Sequence, residues 1–114
     1  MFESSVKKLE TLNTVSLNHL LDKHDKYACI CKANMCGACL AFEQSGALRK
    51  MEDSLTRSGI PYSVRECRND PHNHALLMST GTSQVPCVVY ISNHSFQVKT
   101  VDEFQKFLDA KRES

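Results

Sequence analysis

Hydrophobic and polar residues follow two rhythms along the chain, one typical of β-strands and one typical of α-helices. Short segments that are continuously apolar, or apolar at every second position, predict five strands: Val6–Thr11, Lys26–Lys32, Ile60–Cys67, Pro86–Ser92 and Phe96–Lys99. Apolar residues at helical spacing predict four helices: Leu17–Leu21, a segment from about Gly37 to Arg57, one from Asn69 or Asp70 through Met78, and one from Asp102 onward. The chain therefore alternates strands and helices and closes with a hairpin that turns at Asn93-His94.

This order of elements, β-α-β-α-β-α-β-β-α, indicates the fold class. Helices that alternate with strands pack on both faces of a central sheet. The last two strands are joined by a short turn, so they add an antiparallel pair to that sheet. We therefore predict an α/β fold with a mixed central sheet and helices on both faces, formed by residues 1–114 as one domain.

Composition and charge narrow the classes of partner. The 114 residues are 41% hydrophobic and 24% charged, with 14 basic and 13 acidic side chains and a formal net charge of +1. This balance gives no electrostatic reason to expect nucleic acid or an anionic membrane as a partner. No apolar run is long enough to span a bilayer, and Met1–Ser5 lacks the basic and apolar regions of a secretory signal. We expect a cytoplasmic monomer.

Six cysteines carry most of the chemical information in the sequence. Cys36 and Cys39 form a Cys-x-x-Cys pair directly after a predicted strand and at the start of a predicted helix. Free backbone N–H groups and the positive end of the helix dipole favour a thiolate at the first position. The second thiol follows one helical turn later, where it can resolve a mixed disulfide. We therefore predict Cys36 as the attacking nucleophile and Cys39 as the resolving thiol, with the small residues Gly37 and Ala38 leaving room for a substrate chain.

The neighbouring cysteines leave a second interpretation open. Cys29 and Cys31 lie two positions apart, so they share one face of their strand, and free cysteine is a common core residue. With Cys36 and Cys39 they also complete the pattern Cys-x-Cys-x4-Cys-x2-Cys, whose four thiols could bind Zn²⁺ or an iron–sulfur cluster. A straight strand carries Cys29 well away from Cys36, so we expect no metal site. We expect Cys67, at a strand end, to be partly exposed.

The dipeptide Val85-Pro86 opens a strand that is predicted to be central. Proline has no N–H to donate to a sheet, so this position is unusual for it. Either the Val85–Pro86 bond is cis, which keeps neighbouring backbone groups free to pair with an extended substrate chain, or a trans proline merely begins the strand. The next residue, Cys87, is then either a core residue or a third redox thiol near the dithiol.

Together these motifs resemble thioredoxin, with features shared by glutaredoxin-like proteins. The resemblance covers nearly the whole chain: the Val6–Leu9 strand, the Leu17–Leu21 helix, Cys36-Gly37-Ala38-Cys39, Gln84-Val85-Pro86 and the closing hairpin and helix. It implies a thioredoxin fold, a cis bond at Pro86, and a redox-active Cys36–Cys39 disulfide in place of any bound cofactor or metal. It also implies that the substrate-binding residues are Met35, Gly37, Ala38, Val85 and Pro86.

The chain departs from the thioredoxin pattern at several of these positions. Met35 stands where thioredoxins usually have Trp, and Ala38 replaces the usual proline between the cysteines. Apolar Ile30 lies near the position of the buried acid that assists proton transfer in thioredoxin. The paired glycines with which glutaredoxins bind glutathione are missing from Phe96–Thr100. We therefore expect thioredoxin-like placement of the dithiol with different tuning, and no dependence on glutathione.

Three functions are compatible with the sequence. The first is a thiol–disulfide oxidoreductase that acts on protein disulfides and receives electrons from a thiol reductant or a reductase. The second is an adaptor whose dithiol is vestigial and which holds partner chains through the Val85-Pro86 region. The third is a thiolate protein that binds a metal or an iron–sulfur cluster. The position of the dithiol at a predicted helix start favours the first.

Overall fold

The computed structural model describes residues 17–113 of the chain. The predicted strand Val6–Thr11 lies outside these residues. The described elements are, in chain order, α1 Leu17–Lys23, β1 Lys26–Lys32, α2 Gly37–Gln44, α3 Ala47–Arg57, β2 Tyr62–Glu66, α4 Pro71–Ser79, β3 Cys87–Ser92, β4 Ser95–Thr100 and α5 Val101–Glu113.

The strands among the described residues form one mixed sheet in the order β2-β1-β3-β4. Strand β1 pairs in parallel with β2 and antiparallel with β3, which in turn pairs antiparallel with β4. Asn93 and His94 close the β3–β4 hairpin with positive φ angles of 53° and 61°, the conformation that a tight two-residue turn requires. The predicted mixed sheet and closing hairpin are therefore confirmed.

Alternate residues of the two central strands face two separate cores, because successive side chains of a strand point to opposite faces. On β1, Cys29 and Cys31 face one core, while Ala28 and Ile30 face the other. The first core is covered by apolar residues of α1 and α4, namely Leu20, Leu76 and Leu77. The second is covered by residues of α2, α3 and α5, namely Phe42, Met51, Leu55, Phe104 and Leu108. Helices thus cover both faces of the sheet, as predicted.

The prediction of a single helix from Gly37 to Arg57 is wrong, because the segment forms two helices. Gly46 adopts a φ of +88°, a left-handed conformation that interrupts an α-helix and that glycine tolerates best. The backbone N–H of Gly46 donates to the carbonyl of Glu43 over 3.2 Å, which closes the last turn of α2. Apolar spacing did not reveal the break, since both helices pack their apolar residues into the same core.

The expectation that Cys67 is partly exposed is also wrong, because its side chain is only 1% exposed. The residue follows β2, and its backbone N–H donates to the Lys32 carbonyl over 2.8 Å, which continues the pairing with β1. Helix α4 then begins at Pro71, capped by the side chain of Asp70 as predicted. This helix places Leu77 against the same core and covers the Cys67 thiol.

Candidate active site

Cys36 lies at the point where the chain leaves β1 and enters α2. It is the N-cap of α2, with extended backbone angles of φ −126° and ψ 122°, and its Sγ accepts a hydrogen bond from the Cys39 N–H over 3.3 Å. The first turn of a helix has N–H groups without an intrahelical partner, and here a sulfur takes the place of the usual capping oxygen. Hydrogen bonds from the thiol and the backbone of Cys39 lower the pKa of Cys36. The geometry therefore favours a thiolate at Cys36.

Cys39 occupies the opposite environment, inside the first turn of α2. Its side chain is fully buried, and its Sγ accepts a hydrogen bond from the Ala33 N–H over 3.3 Å. Burial, followed by the hydrogen bond with Cys36, raises the pKa of Cys39 to about 11. The two thiols are therefore unequal: one is accessible and readily ionised, and the other is buried and protonated at neutral pH.

Val85 and Pro86 meet the dithiol from the start of β3. The Val85–Pro86 peptide bond is cis, the isomer that the thioredoxin resemblance implies. The Cys36 thiol faces the carbonyl oxygen of Val85, with 3.9 Å between Sγ and oxygen. Both Val85 and Pro86 are half-buried, so part of their surface remains accessible beside the Cys36 sulfur.

The other predicted substrate-binding residues lie on the open side of the same loop and helix start. The Met35 side chain is 86% exposed, directly before Cys36. Gly37 and Ala38 are also exposed, and a Cβ atom built on Gly37 would meet nothing within 4 Å. The region in front of the Cys36 sulfur is thus open to a second chain.

Glu66, at the end of β2, organises the loop before Cys36 and was missed by the sequence analysis. Its carboxylate accepts hydrogen bonds from the backbone N–H groups of Asn34 at 3.0 Å, Arg68 at 3.1 Å and Asn69 at 2.7 Å. These bonds, that of Asn69 above all, lower the pKa of Glu66. The Glu66 carboxylate therefore connects the loop before Cys36 to the loop after β2. We call this set of hydrogen bonds the Glu66 clamp. The available signal was the parallel pairing of β1 and β2, which brings their carboxyl ends together.

The same clamp brings a cation close to the dithiol. The charge of Arg68 lowers the pKa of Cys36, although less than the hydrogen bonds from Cys39 do. Arg68 also borders a cavity of about 250 Å³ whose remaining lining residues are Cys67, His74, Leu77, Ser83 and Val85. The dithiol therefore has a positively charged side chain and a recess at its edge, neither of which the linear sequence indicates.

The cysteine pattern that suggested a metal site does not converge in space. Cys29 and Cys31 belong to the core beneath α1 and α4, whereas α2, which carries Cys39, packs on the other face of the sheet. Within residues 17–113, no three or more His, Cys, Asp and Glu side chains are arranged to hold a metal ion. In the same part of the chain, no helix has the length and apolar character needed to cross a membrane.

Comparisons with known proteins bear on the fold. No protein-family model matches the sequence, and no curated protein matches it either. Among solved structures, an oxidised thioredoxin from Plasmodium falciparum is similar at a TM-score of 0.58 and 8% identity, over 82% of this chain and 88% of that one.

Two further structures give the same result. Mitochondrial thioredoxin 3 from Saccharomyces cerevisiae is similar at a TM-score of 0.60 and 10% identity, over 82% of this chain and 85% of that one. Thioredoxin f from spinach chloroplast is similar at a TM-score of 0.56 and 14% identity, over 90% of this chain and 84% of that one. The chain therefore has a thioredoxin-like fold, which confirms the predicted fold class.

Proposed function

We propose that this chain is a thiol–disulfide oxidoreductase that reduces or exchanges disulfides of protein substrates through Cys36 and Cys39. The observation that carries the proposal is the placement of the Cys36 sulfur, 3.3 Å from the Cys39 N–H and 3.9 Å from the Val85 carbonyl oxygen. The first contact stabilises a thiolate, and the second sets that thiolate beside a backbone group that a substrate chain can reach. The thioredoxin-like fold is consistent with this class of activity.

The reaction follows from the inequality of the two thiols. The Cys36 thiolate attacks one sulfur of the substrate disulfide, whose S–S bond breaks, and the other substrate sulfur leaves as a thiolate. Cys39 then loses its proton and attacks the Cys36 sulfur, which releases the second substrate sulfur. The substrate gains two electrons, one proton from Cys39 and one proton from solvent, and the chain is left with a Cys36–Cys39 disulfide. A thiol reductant or a reductase restores the dithiol.

Cys39 needs a proton acceptor at the second step, because its raised pKa keeps it protonated at neutral pH. Ile30 lies near the position of the buried acid in thioredoxin and is itself fully buried, but its side chain is apolar and cannot accept a proton. The substrate thiolate formed in the first step is a suitable acceptor, because it lies near the mixed disulfide and, with an ordinary thiol pKa of about 8.5, is a stronger base than water. We infer that the substrate itself takes up the Cys39 proton.

The substrate chain is expected to bind in an extended form across Val85, Pro86 and the exposed Met35. An extended chain can pair its backbone with free groups at the edge of a site, as in strand addition. The open space in front of Gly37 leaves room for it. Protein disulfides in accessible, extended segments are therefore the proposed substrates.

The test is reduction of a disulfide-bonded protein with dithiothreitol as the electron source. We expect the wild-type chain to accelerate the reaction and Cys36→Ser to lose the acceleration. Cys67→Ala is the matched control, because it removes a buried thiol outside the motif and should retain activity. Full turnover by Cys36→Ser contradicts the proposal. An inactive wild type that binds partner chains as well as a Cys36→Ser, Cys39→Ser double variant does would indicate the adaptor function instead.

A further inference from the structure

Four cysteines that the proposed reaction does not use meet in one place, in the core beneath α1 and α4. Cys29 and Cys31 are fully buried, Cys67 is 1% exposed and Cys87 is 4% exposed. Cys31 is central to the group. Its Sγ lies 3.8 Å from that of Cys29, and hydrogen bonds with the thiols of Cys29, Cys67 and Cys87, together with burial, raise its pKa.

The strand register identifies which two of these thiols can be joined. Cys31 on β1 lies directly opposite Cys87 on β3 in the antiparallel pairing. Opposite residues of such a pair have Cα atoms about 4.5–5.5 Å apart, within the range of about 4.4–6.8 Å that a disulfide requires. Their side chains point to the same face, and both belong to the same core.

The other two cysteines are less suitably placed. Cys29 lies opposite Val89 on β3, so it faces no thiol across that pairing. The residue opposite Cys31 on β2 is Arg65, and Cys67 lies two positions beyond it along the strand direction. With strands about 4.8 Å apart and a rise of about 3.3 Å per residue, this offset puts the Cα atoms of Cys31 and Cys67 roughly 8 Å apart, too far for a disulfide.

We propose that Cys31 and Cys87 form a second redox couple, which closes to a buried disulfide when a small hydroperoxide reaches the Cys87 thiol. Cys87 attacks one peroxide oxygen, so that its sulfur is oxidised to a sulfenic acid and the O–O bond breaks with release of water or an alcohol. The Cys31 sulfur then attacks the Cys87 sulfur, the S–S bond forms, and the hydroxyl group leaves as water. Two thiol hydrogens and two electrons pass to the peroxide. This proposal does not rest on the Cys36–Cys39 reaction.

Access and reactivity both favour Cys87 as the attacking member. It is the more exposed of the two, and it follows Val85, which borders the cavity of about 250 Å³ beside the dithiol. The hydrogen bond from Cys31 lowers the pKa of Cys87. Cys31 has no exposed surface, so a peroxide reaches it less readily than it reaches Cys87, and this leaves Cys31 the resolving position.

The test is thiol mapping of the folded full-length chain after treatment with dilute hydrogen peroxide. The remaining thiols are alkylated in denaturant, and the tryptic peptides are identified by mass spectrometry without reduction. Trypsin leaves Cys87 as the lone cysteine of Asn69–Lys99 and Cys67 alone in Glu66–Arg68, while Cys29 and Cys31 share Tyr27–Lys32. We expect Asn69–Lys99 to be linked to Tyr27–Lys32, and dithiothreitol to reverse the link.

Variants assign the link and separate it from the dithiol. Cys29→Ala leaves Cys31 alone in its peptide and should retain the link, while Cys87→Ala should abolish it. The link should also form in a Cys36→Ser, Cys39→Ser variant, whether or not the proposed oxidoreductase activity exists. The wild-type map does not depend on any variant folding. Peptide Asn69–Lys99 left free, oxidised without a link, or joined to Glu66–Arg68 overturns the proposal.

Discussion

The Sγ atom of Cys36 lies 3.9 Å from the carbonyl oxygen of Val85, although 49 positions of sequence separate the two residues. The sheet explains this proximity. Strands β1 and β3 are antiparallel neighbours, and their last pair, Cys31 with Cys87, sets the end of β1 beside the start of β3. The chain runs from Cys31 into the dithiol and reaches Cys87 from Val85. One strand pairing therefore positions both halves of the candidate active site.

The two thiols of the dithiol should titrate far apart. The hydrogen bonds from Cys39 lower the pKa of Cys36, whereas burial raises that of Cys39 to about 11. The rate of alkylation by iodoacetamide, followed by mass spectrometry across pH, should rise at Cys36 with a midpoint below that of an ordinary cysteine thiol. Cys39 should stay unlabelled until the pH approaches 11. Labelling of Cys39 before Cys36 would contradict the assigned roles.

Arg68 should support the Cys36 thiolate through its charge. In Arg68→Glu the favourable charge becomes unfavourable, so the pKa of Cys36 should rise and its alkylation at neutral pH should slow by several-fold. Because both groups are accessible to solvent, added salt should reduce the difference between variant and wild type. The measurement is the alkylation rate at Cys36 at low and high ionic strength.

Arg57→Glu provides the control for this prediction. Arg57 is an exposed residue in the last turn of α3, and its substitution by Glu changes the net charge of the chain by the same amount as Arg68→Glu does. It should leave the alkylation rate of Cys36 nearly unchanged. Equal slowing by the two variants would mean that net charge, and not the position of Arg68, controls the thiol.

The Glu66 clamp should make stability depend on pH in a defined direction. Its pKa is lowered in the folded chain, chiefly by the hydrogen bond from the Asn69 N–H, so folding favours the carboxylate. The resulting stabilisation is present above the ordinary glutamate pKa and is lost as the pH falls through the lowered value. The difference in unfolding free energy between wild type and Glu66→Gln should therefore be largest at neutral pH and shrink on acidification. A difference that is constant over this range would argue against the clamp.

The break between α2 and α3 should depend on glycine at position 46. Gly46→Ala forces a Cβ atom into a left-handed conformation, with an expected cost of about 1–2 kcal/mol in unfolding free energy. Gly37→Ala is the matched control, because Gly37 has no positive φ and its Cβ would meet nothing within 4 Å. Denaturant unfolding of both variants measures the costs. A Gly37→Ala variant as unstable as Gly46→Ala would show that the left-handed conformation is not the cause.

The sequence predicted those features that depend on local pattern. The bounds of β1 were predicted to the residue, because a continuous apolar run fills a strand buried on both faces. Asp70 was correctly predicted as a possible cap of α4, because a short acidic side chain directly before the first helical residue can accept hydrogen bonds from the free N–H groups of the first turn.

The features that were missed depend on contacts between distant segments. The helix break at Gly46 leaves the apolar spacing intact, so only the backbone angles reveal it. Burial of Cys67 requires α4 to pack over a strand end, which a strand pattern does not encode. The Glu66 clamp joins Asn34 to a position 32 residues later, and it becomes visible only once β1 and β2 are known to be parallel.

The central claim, that Cys36 attacks substrate disulfides and Cys39 resolves the product, is tested most directly by trapping the intermediate. Cys39→Ser is mixed with a disulfide-bonded protein, the reaction is quenched by alkylation, and the linked peptides are mapped by mass spectrometry. We predict a mixed disulfide between the substrate and Cys36, within the tryptic peptide Ala33–Arg49, and none when Cys36→Ser is used instead. A substrate linked equally well to Cys36→Ser, or no linked substrate with Cys39→Ser, would contradict the account.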